Sequence, residues 1–227
     1  MATNQRSNSP RRVVECADRL VRLGALSRNY HGNISVRVQG KEEILMTGAS
    51  LLDVKPKDLA SISLGGKVLK GRVSPSANEI IGMHTVIYKL RPDVGSVIHT
   101  HSPHATAYAV AGRPMECFST PLARLGIVDP IPVARFGPRG SGEALKYIEE
   151  ALNANPGCKA VLLENHGILT FDATVEEAAQ IVFAMEENAE VSILARVIGE
   201  PKRIPPAMIR SSSERREEFE RRGAVAR

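Results

Sequence analysis

The chain contains no tryptophan and only four tyrosines and five phenylalanines among its 227 residues. Proteins that read single-stranded bases need aromatic platforms on which to stack them, so a nucleic-acid surface is not expected. No apolar run approaches the roughly 20 residues that cross a bilayer as a helix. The first ten residues are polar and lack a hydrophobic core segment, so no secretory signal is expected either. Cysteine is scarce: Cys16, Cys117 and Cys158 are odd in number and stand at unrelated spacings. That suits reduced thiols in a cytoplasmic setting. The net charge is only +5. Its excess sits in Arg11 and Arg12 and in Arg210, Arg215, Arg216, Arg221 and Arg222 near the carboxyl end. Glu214, Glu217, Glu218 and Glu220 interrupt that end, and a mixed-sign run is a solvated helix or frayed end and a poor track for phosphates. The expected partner is a small molecule, with no nucleic acid and no membrane.

The length suits one compact domain. We place it at residues 11–205, after a flexible segment 1–10 and before a charged tail 206–227. Apolar spacing predicts a helix over about 11–26, through Val13, Ala17, Leu20 and Val21. Alternating residues from Gly32 to Val38 and a run from Glu43 to Met46 predict a hairpin, and a second hairpin turns at Gly65-Gly66. Helices are predicted from Glu79 to Leu90, from Ala105 to Ala111, from Ser141 to Asn153 and from Thr174 to Ile198. Ser141 is the expected cap of the third, and Thr174 with Glu177 forms a capping box for the last. Hairpin strands with helices between and around them imply a layered α/β domain and exclude an all-parallel doubly wound sheet.

Histidine is the residue whose placing carries chemistry. His99 and His101 close the β-prone run that begins at Val94, and residues i and i+2 of a strand share a face. A third histidine, His166, follows the apolar run Val161-Leu162-Leu163 and precedes a glycine expected to turn the chain. The pair alone also fits packed strand residues. Three histidines without cysteine suit one divalent metal, Zn or Mn, with Co or Fe as alternatives, and leave a position open for water or substrate. That pattern is catalytic in character and not structural. Two small-residue loops, Gly32-Asn33-Ile34-Ser35 and Thr47-Gly48-Ala49-Ser50, can present backbone N–H groups to an anion or be plain turns. Glu79, at an expected helix start, suits either a helix-dipole partner or a general acid/base.

Taken in order, these segments resemble the class II aldolase/adducin family, the fold of fuculose-phosphate aldolase and the pentulose-phosphate epimerases. The matching elements are Gly32-Asn33-Ile34-Ser35, Thr47-Gly48, Pro75-Ser76 to Glu79, Met83 to Tyr88, Arg91-Pro92-Asp93-Val94, His99-Thr100-His101 and Asn165-His166-Gly167. The resemblance implies a three-layer α/β/α fold with a mixed, largely antiparallel central sheet. It implies His99, His101 and His166 as metal ligands, one cation per subunit, and Glu79 as acid/base. It places Asn33, Thr47, Gly48 and Ser76 at the substrate, and it implies a homotetramer with active sites at subunit interfaces.

The chain departs from the family pattern in ways that bear on the reaction. Pro75-Ser76-Ala77-Asn78-Glu79 carries an extra residue, so His84 follows Glu79 by five positions and a phosphate-binding serine is missing from the motif. Phe136 stands where the aldolase has a tyrosine, and the tail has no tyrosine. Arg124, Arg135 and Arg139 lie in the segment that, by the resemblance, completes a neighbour's site; together they suit a substrate carboxylate, while each singly is more simply a solvated or interface ion pair. These features favour a metal-dependent carbon–carbon lyase that decarboxylates a hydroxylated, non-phosphorylated acid. The alternatives are a class II aldolase acting on a ketose phosphate and a non-catalytic scaffold like the adducin head.

Overall fold

The computed structural model describes residues 8–225. Most of the expected flexible segment lies outside these residues. Its end is tied down: Asn8 donates to Ala173 O and accepts from Val175 N, each at 3.0 Å. Helix α1 (Pro10–Arg22) follows the Ser9 cap and buries Val13, Cys16, Ala17 and Leu20. Strands β1 (Gly32–Arg37), β2 (Glu43–Thr47), β3 (Leu59–Ser63) and β4 (Val68–Lys70) form an antiparallel meander, with one turn of 3-10 helix at Pro56–Asp58. Then come short α2 (Pro75–Asn78), α3 (Ile81–Leu90), β5 (Ser96–Thr100), α4 (Pro103–Val110), α5 (Thr120–Ala123) and β6 (Val133–Ala134). Helix α6 (Gly142–Ala154), β7 (Ala160–Leu163), β8 (Gly167–Asp172), α7 (Val175–Ile198) and α8 (Pro206–Val225) complete the chain.

The eight strands make one sheet in the order β4-β3-β2-β1-β5-β8-β7-β6. All neighbours are antiparallel except β6 and β7, as a mixed, largely antiparallel sheet requires. Alternation along the strands feeds two cores. Ile34, Ile98, Leu162 and Ile168 face one way, onto α1, α4 and α7. Val97, Val161, Leu163, Leu169 and Phe171 face the other way, onto α3 and α6. Two further expectations are met at helix starts. Ser141 Oγ accepts from Ala144 N at 3.1 Å, and Thr174 Oγ1 accepts from Glu177 N at 3.2 Å, returning its own hydrogen to the Glu177 carboxylate at 2.7 Å. Each such cap is worth about 1 kcal/mol. The charged tail is a helix whose Ile209 is fully buried.

Three expectations are corrected. The helix predicted from Glu79 begins at Ile81, and Glu79 is the C-cap of α2. Ile80 N and Met83 N bond back three residues, to Ala77 O and Ile80 O. These tight turns break the helix just after Glu79. Gly167 does not turn the chain; it opens β8. The turn is made by Asn165, whose φ of 55° lies in the left-handed region that asparagine tolerates. Strands β6 and β8 and the short helix α5 were not anticipated.

Candidate metal centre and substrate cleft

The registry of the sheet assembles the centre. Asn33 on β1 pairs with His99 on β5, and His99 pairs with Leu169 on β8. His99 and His101 leave β5 on the Val97 face. The tight β7–β8 turn swings His166 over them, with ring centroids 4.8 Å from His99 and 4.9 Å from His101. Glycine is required at 167 by crowding: a Cβ there would strike Thr100 O and come within 3.3 Å of both the His99 and His101 rings. An alanine would therefore push the ligands apart.

The donor set fits a divalent cation. One nitrogen from each of His99, His101 and His166 lies within 4.8 Å of the others. His99 Nδ1 sits 2.9 Å from Ile168 O. A carbonyl only accepts, so Nδ1 carries the hydrogen and Nε2 turns a lone pair inward, the outer-sphere bond usual for a metal-binding histidine. His101 Nε2 comes within 3.1 Å of that atom. Two nitrogens on one tetrahedral zinc stand about 3.3 Å apart, so the rings are close to ligand positions already. Burial pushes His101 down to about 4, and His166, His31 and Arg139 add to the effect. Burial, with Arg139, pushes His166 down to about 4. His99 is held well below the usual range by burial, then by His166 and His101. All three rings are neutral at pH 7, the form that binds metal. His84 is a different case. It is fully buried, burial pushes it down to about 3, and its Nδ1 lies 2.8 Å from Ser35 Oγ. It is a core residue between β1 and α3.

A cleft of about 310 Å³ opens over His99 and His101, in the size range of small-molecule sites. Asn33, Ser74, Ser76 and Arg139 line it, with Asn29, Ser50 and His31 also on its wall. Ser74 and Ser76 hydroxyls lie 3.2 Å apart. Arg139 donates to Ser76 O at 2.6 Å and pairs its Nε with the Glu79 carboxylate at 3.1 Å. Glu79 does not itself line the cleft; it is paired with Arg139, which does.

The other residues named from sequence fall elsewhere. Thr47 and Gly48 lie behind the cleft wall. Thr47 Oγ1 accepts from Ile34 N at 3.0 Å, and Thr47 O accepts from the Asn33 amide at 3.2 Å. Gly48 donates to Asp58 O and accepts from Ser74 N. A Cβ on Gly48 would run into Arg72 O, so the glycine lets the Ser74 loop approach. Arg135 pairs with Glu150 at 2.7 Å and covers the Tyr147 ring. Phe136 is 53% exposed. Arg124 lies outside its own chain's cleft, beside a separate hollow of about 520 Å³ between α5, α7 and α8. Asn29, His31 and Ser74 were missed from sequence, whereas Ser50 lies in one of the two small-residue loops expected to meet an anion. His31 was accessible in principle, because it continues the alternation that puts Asn33 on the histidine face.

Comparison with known proteins agrees with this geometry. Residues 11–193 match the family described as Class II Aldolase and Adducin N-terminal domain. The chain is 33% identical over 193 residues to the 5-methylthioribulose-1-phosphate/5-deoxyribulose-1-phosphate aldolase of Rhodospirillum rubrum, covering 85% of this chain and 84% of that one. It is 29% identical over 195 residues to the 5-deoxy-D-ribulose 1-phosphate aldolase of Bacillus thuringiensis, covering 85% and 88%. Among solved structures, an L-fuculose 1-phosphate aldolase superimposes with a TM-score of 0.78 at 28% identity, over 92% of this chain and 96% of that one. Among the described residues no helix is long and apolar enough to cross a membrane.

Proposed function

Because the chain belongs to the class II aldolase and adducin family, we propose that it is a zinc-dependent aldolase that cleaves a ketose 1-phosphate, with 5-deoxypentulose 1-phosphates as the favoured class. The observation that carries this reading is the polar lining beside the histidines, with Arg139, two serines and Asn33 around one cleft, a set that suits an anion. The decarboxylase preference drawn from sequence is set aside. It rested partly on a lost phosphate-binding serine, yet Ser74 and Ser76 place two hydroxyls side by side in the cleft. The named relatives are aldolases of sugar phosphates. Asn33 spends one amide hydrogen on Thr47 O and keeps its second N–H and its carbonyl for a ligand.

A divalent cation held by His99, His101 and His166 supplies Lewis-acid stabilisation of the negative charge left on substrate oxygen when the carbon–carbon bond breaks. Arg139, Ser74 and Ser76 bind the phosphate and fix the sugar over the histidines. As the C3–C4 bond breaks, its electron pair stays on C3 and the C4 hydroxyl, losing its hydrogen to water, becomes an aldehyde. Glu79, released from Arg139, takes up a proton from solvent and delivers it to C3, which leaves dihydroxyacetone phosphate and the Glu79 carboxylate. A role for Arg124 at the substrate needs a second copy of the chain, as the homotetramer expected from the resemblance would provide.

The phosphate part of the reading has its own test. Phosphoglycolate should compete with substrate, and Arg139→Gln should weaken that inhibition about 10- to 100-fold, the loss of one charge-assisted hydrogen-bonding pair. A hydroxy-carboxylate chelator that inhibits more strongly than phosphoglycolate, in a protein indifferent to Arg139→Gln, would restore the decarboxylase.

A further inference from the structure

We infer that His31 is a substrate-contacting residue that holds the hydroxyl on C4, the carbon that leaves as the aldehyde, and so fills a role left open by the phenylalanine at position 136. The inference rests on the aldolase reading above and goes beyond it.

Three observations place His31 there. It lines the cleft, and its ring meets His101 edge-on at 5.5 Å between centroids. It lies one residue beyond Gly32, which pairs with Thr100, so it continues the face on which Asn33 stands opposite His99. Residues i and i+2 of a strand are about 7 Å apart, a reach that matches a sugar chain from its C1 phosphate to its C4 hydroxyl. Asn33 and His31 both line the cleft, at a spacing that lets them bracket the substrate. The approach to His31 is also built. Tyr30 holds a φ of 53°, a left-handed conformation that is unfavourable for a bulky residue. Ser27 O, Ser50 Oγ and Leu51 N fix that turn through hydrogen bonds to the Tyr30 backbone. A surface turn with no task would relax or take glycine.

Chemistry favours the assignment. Phe136 has no hydrogen-bonding group and is 53% exposed. The imidazole of His31 has one nitrogen that donates and one that accepts, so it can bind a hydroxyl before cleavage and an aldehyde oxygen after it.

The test separates the two halves of the reaction in the zinc-loaded full chain. Cleavage of 5-deoxyribulose 1-phosphate needs the C4 oxygen. Exchange of the C3 hydrogen of dihydroxyacetone phosphate with solvent uses Glu79 and the metal centre but has no C4 oxygen. His31→Phe should lower kcat/KM for cleavage about 10- to 100-fold and leave both exchange and zinc content unchanged. His31→Gln, which keeps a hydrogen-bonding amide, should recover part of the loss. Cleavage at the parental rate in His31→Phe, or exchange and zinc falling together with cleavage, overturns the inference while the aldolase stands. A parent protein that neither cleaves nor exchanges removes the aldolase reading and this inference with it.

Discussion

A His101→Ala protein is expected to purify without bound metal and to lose activity by at least about a thousandfold, the scale of several kcal/mol of Lewis-acid stabilisation. His101 is the ligand to replace because it is half-buried at the cleft rim. His99, by contrast, is buried and bonded to Ile168 O, so its loss would disturb β5 and β8 as well as the metal. Three neutral nitrogens converge at the centre, and two leave a cation with too few ligands to compete with water. The metal-free melting temperature should stay at the parental value. Metal analysis by mass spectrometry decides the matter: a folded His101→Ala protein with one cation per chain would mean that the triad is not the metal centre.

The second large effect is expected at Glu79. Glu79→Gln keeps the side chain's size and can still accept a hydrogen bond from Arg139, but it cannot carry a proton to carbon. Turnover should fall by about two to four orders of magnitude, with zinc content and phosphoglycolate binding retained. In the structure the Glu79 carboxylate is paired with Arg139, the same side chain that lines the cleft. A phosphate that engages Arg139 competes for that pair and frees the carboxylate to work at the substrate. Near-normal turnover in Glu79→Gln would return this residue to a purely structural partnership with Arg139.

Local signals in the chain account for much of the fold. The Thr174 cap, the α7 periodicity and the alternation around β1 and β2 each involve neighbours in sequence, and each is found where expected. The two cores follow from the same alternation. Strand β8 was hidden because only Glu164, Asn165 and His166 separate it from β7. A turn that short depends on Asn165 adopting positive φ, which the apolar pattern does not reveal. Strand β6 is two residues long and owes its pairing to β7, so it has no period of its own. The triad was legible because strand alternation puts His99 and His101 on one face and an apolar run leads to His166, although the turn there is made by Asn165 and not by Gly167. The cleft wall was not, since Arg139 meets Ser76 across 63 positions of chain. Ser74, from the loop just before α2, sets its hydroxyl 3.2 Å from that of Ser76. The same long-range assembly explains why Arg135, read as an equal of Arg139, pairs with Glu150, and why Arg124 lines a separate hollow.

The central claim is aldol cleavage of a phosphorylated ketose at the histidine centre. It is tested most directly by following the zinc-loaded protein with 5-deoxyribulose 1-phosphate by proton NMR. The account predicts equal amounts of dihydroxyacetone phosphate and acetaldehyde, abolished by chelator and restored by added zinc. An untouched ketose phosphate, together with metal-dependent release of carbon dioxide from a hydroxy-carboxylate, would contradict it.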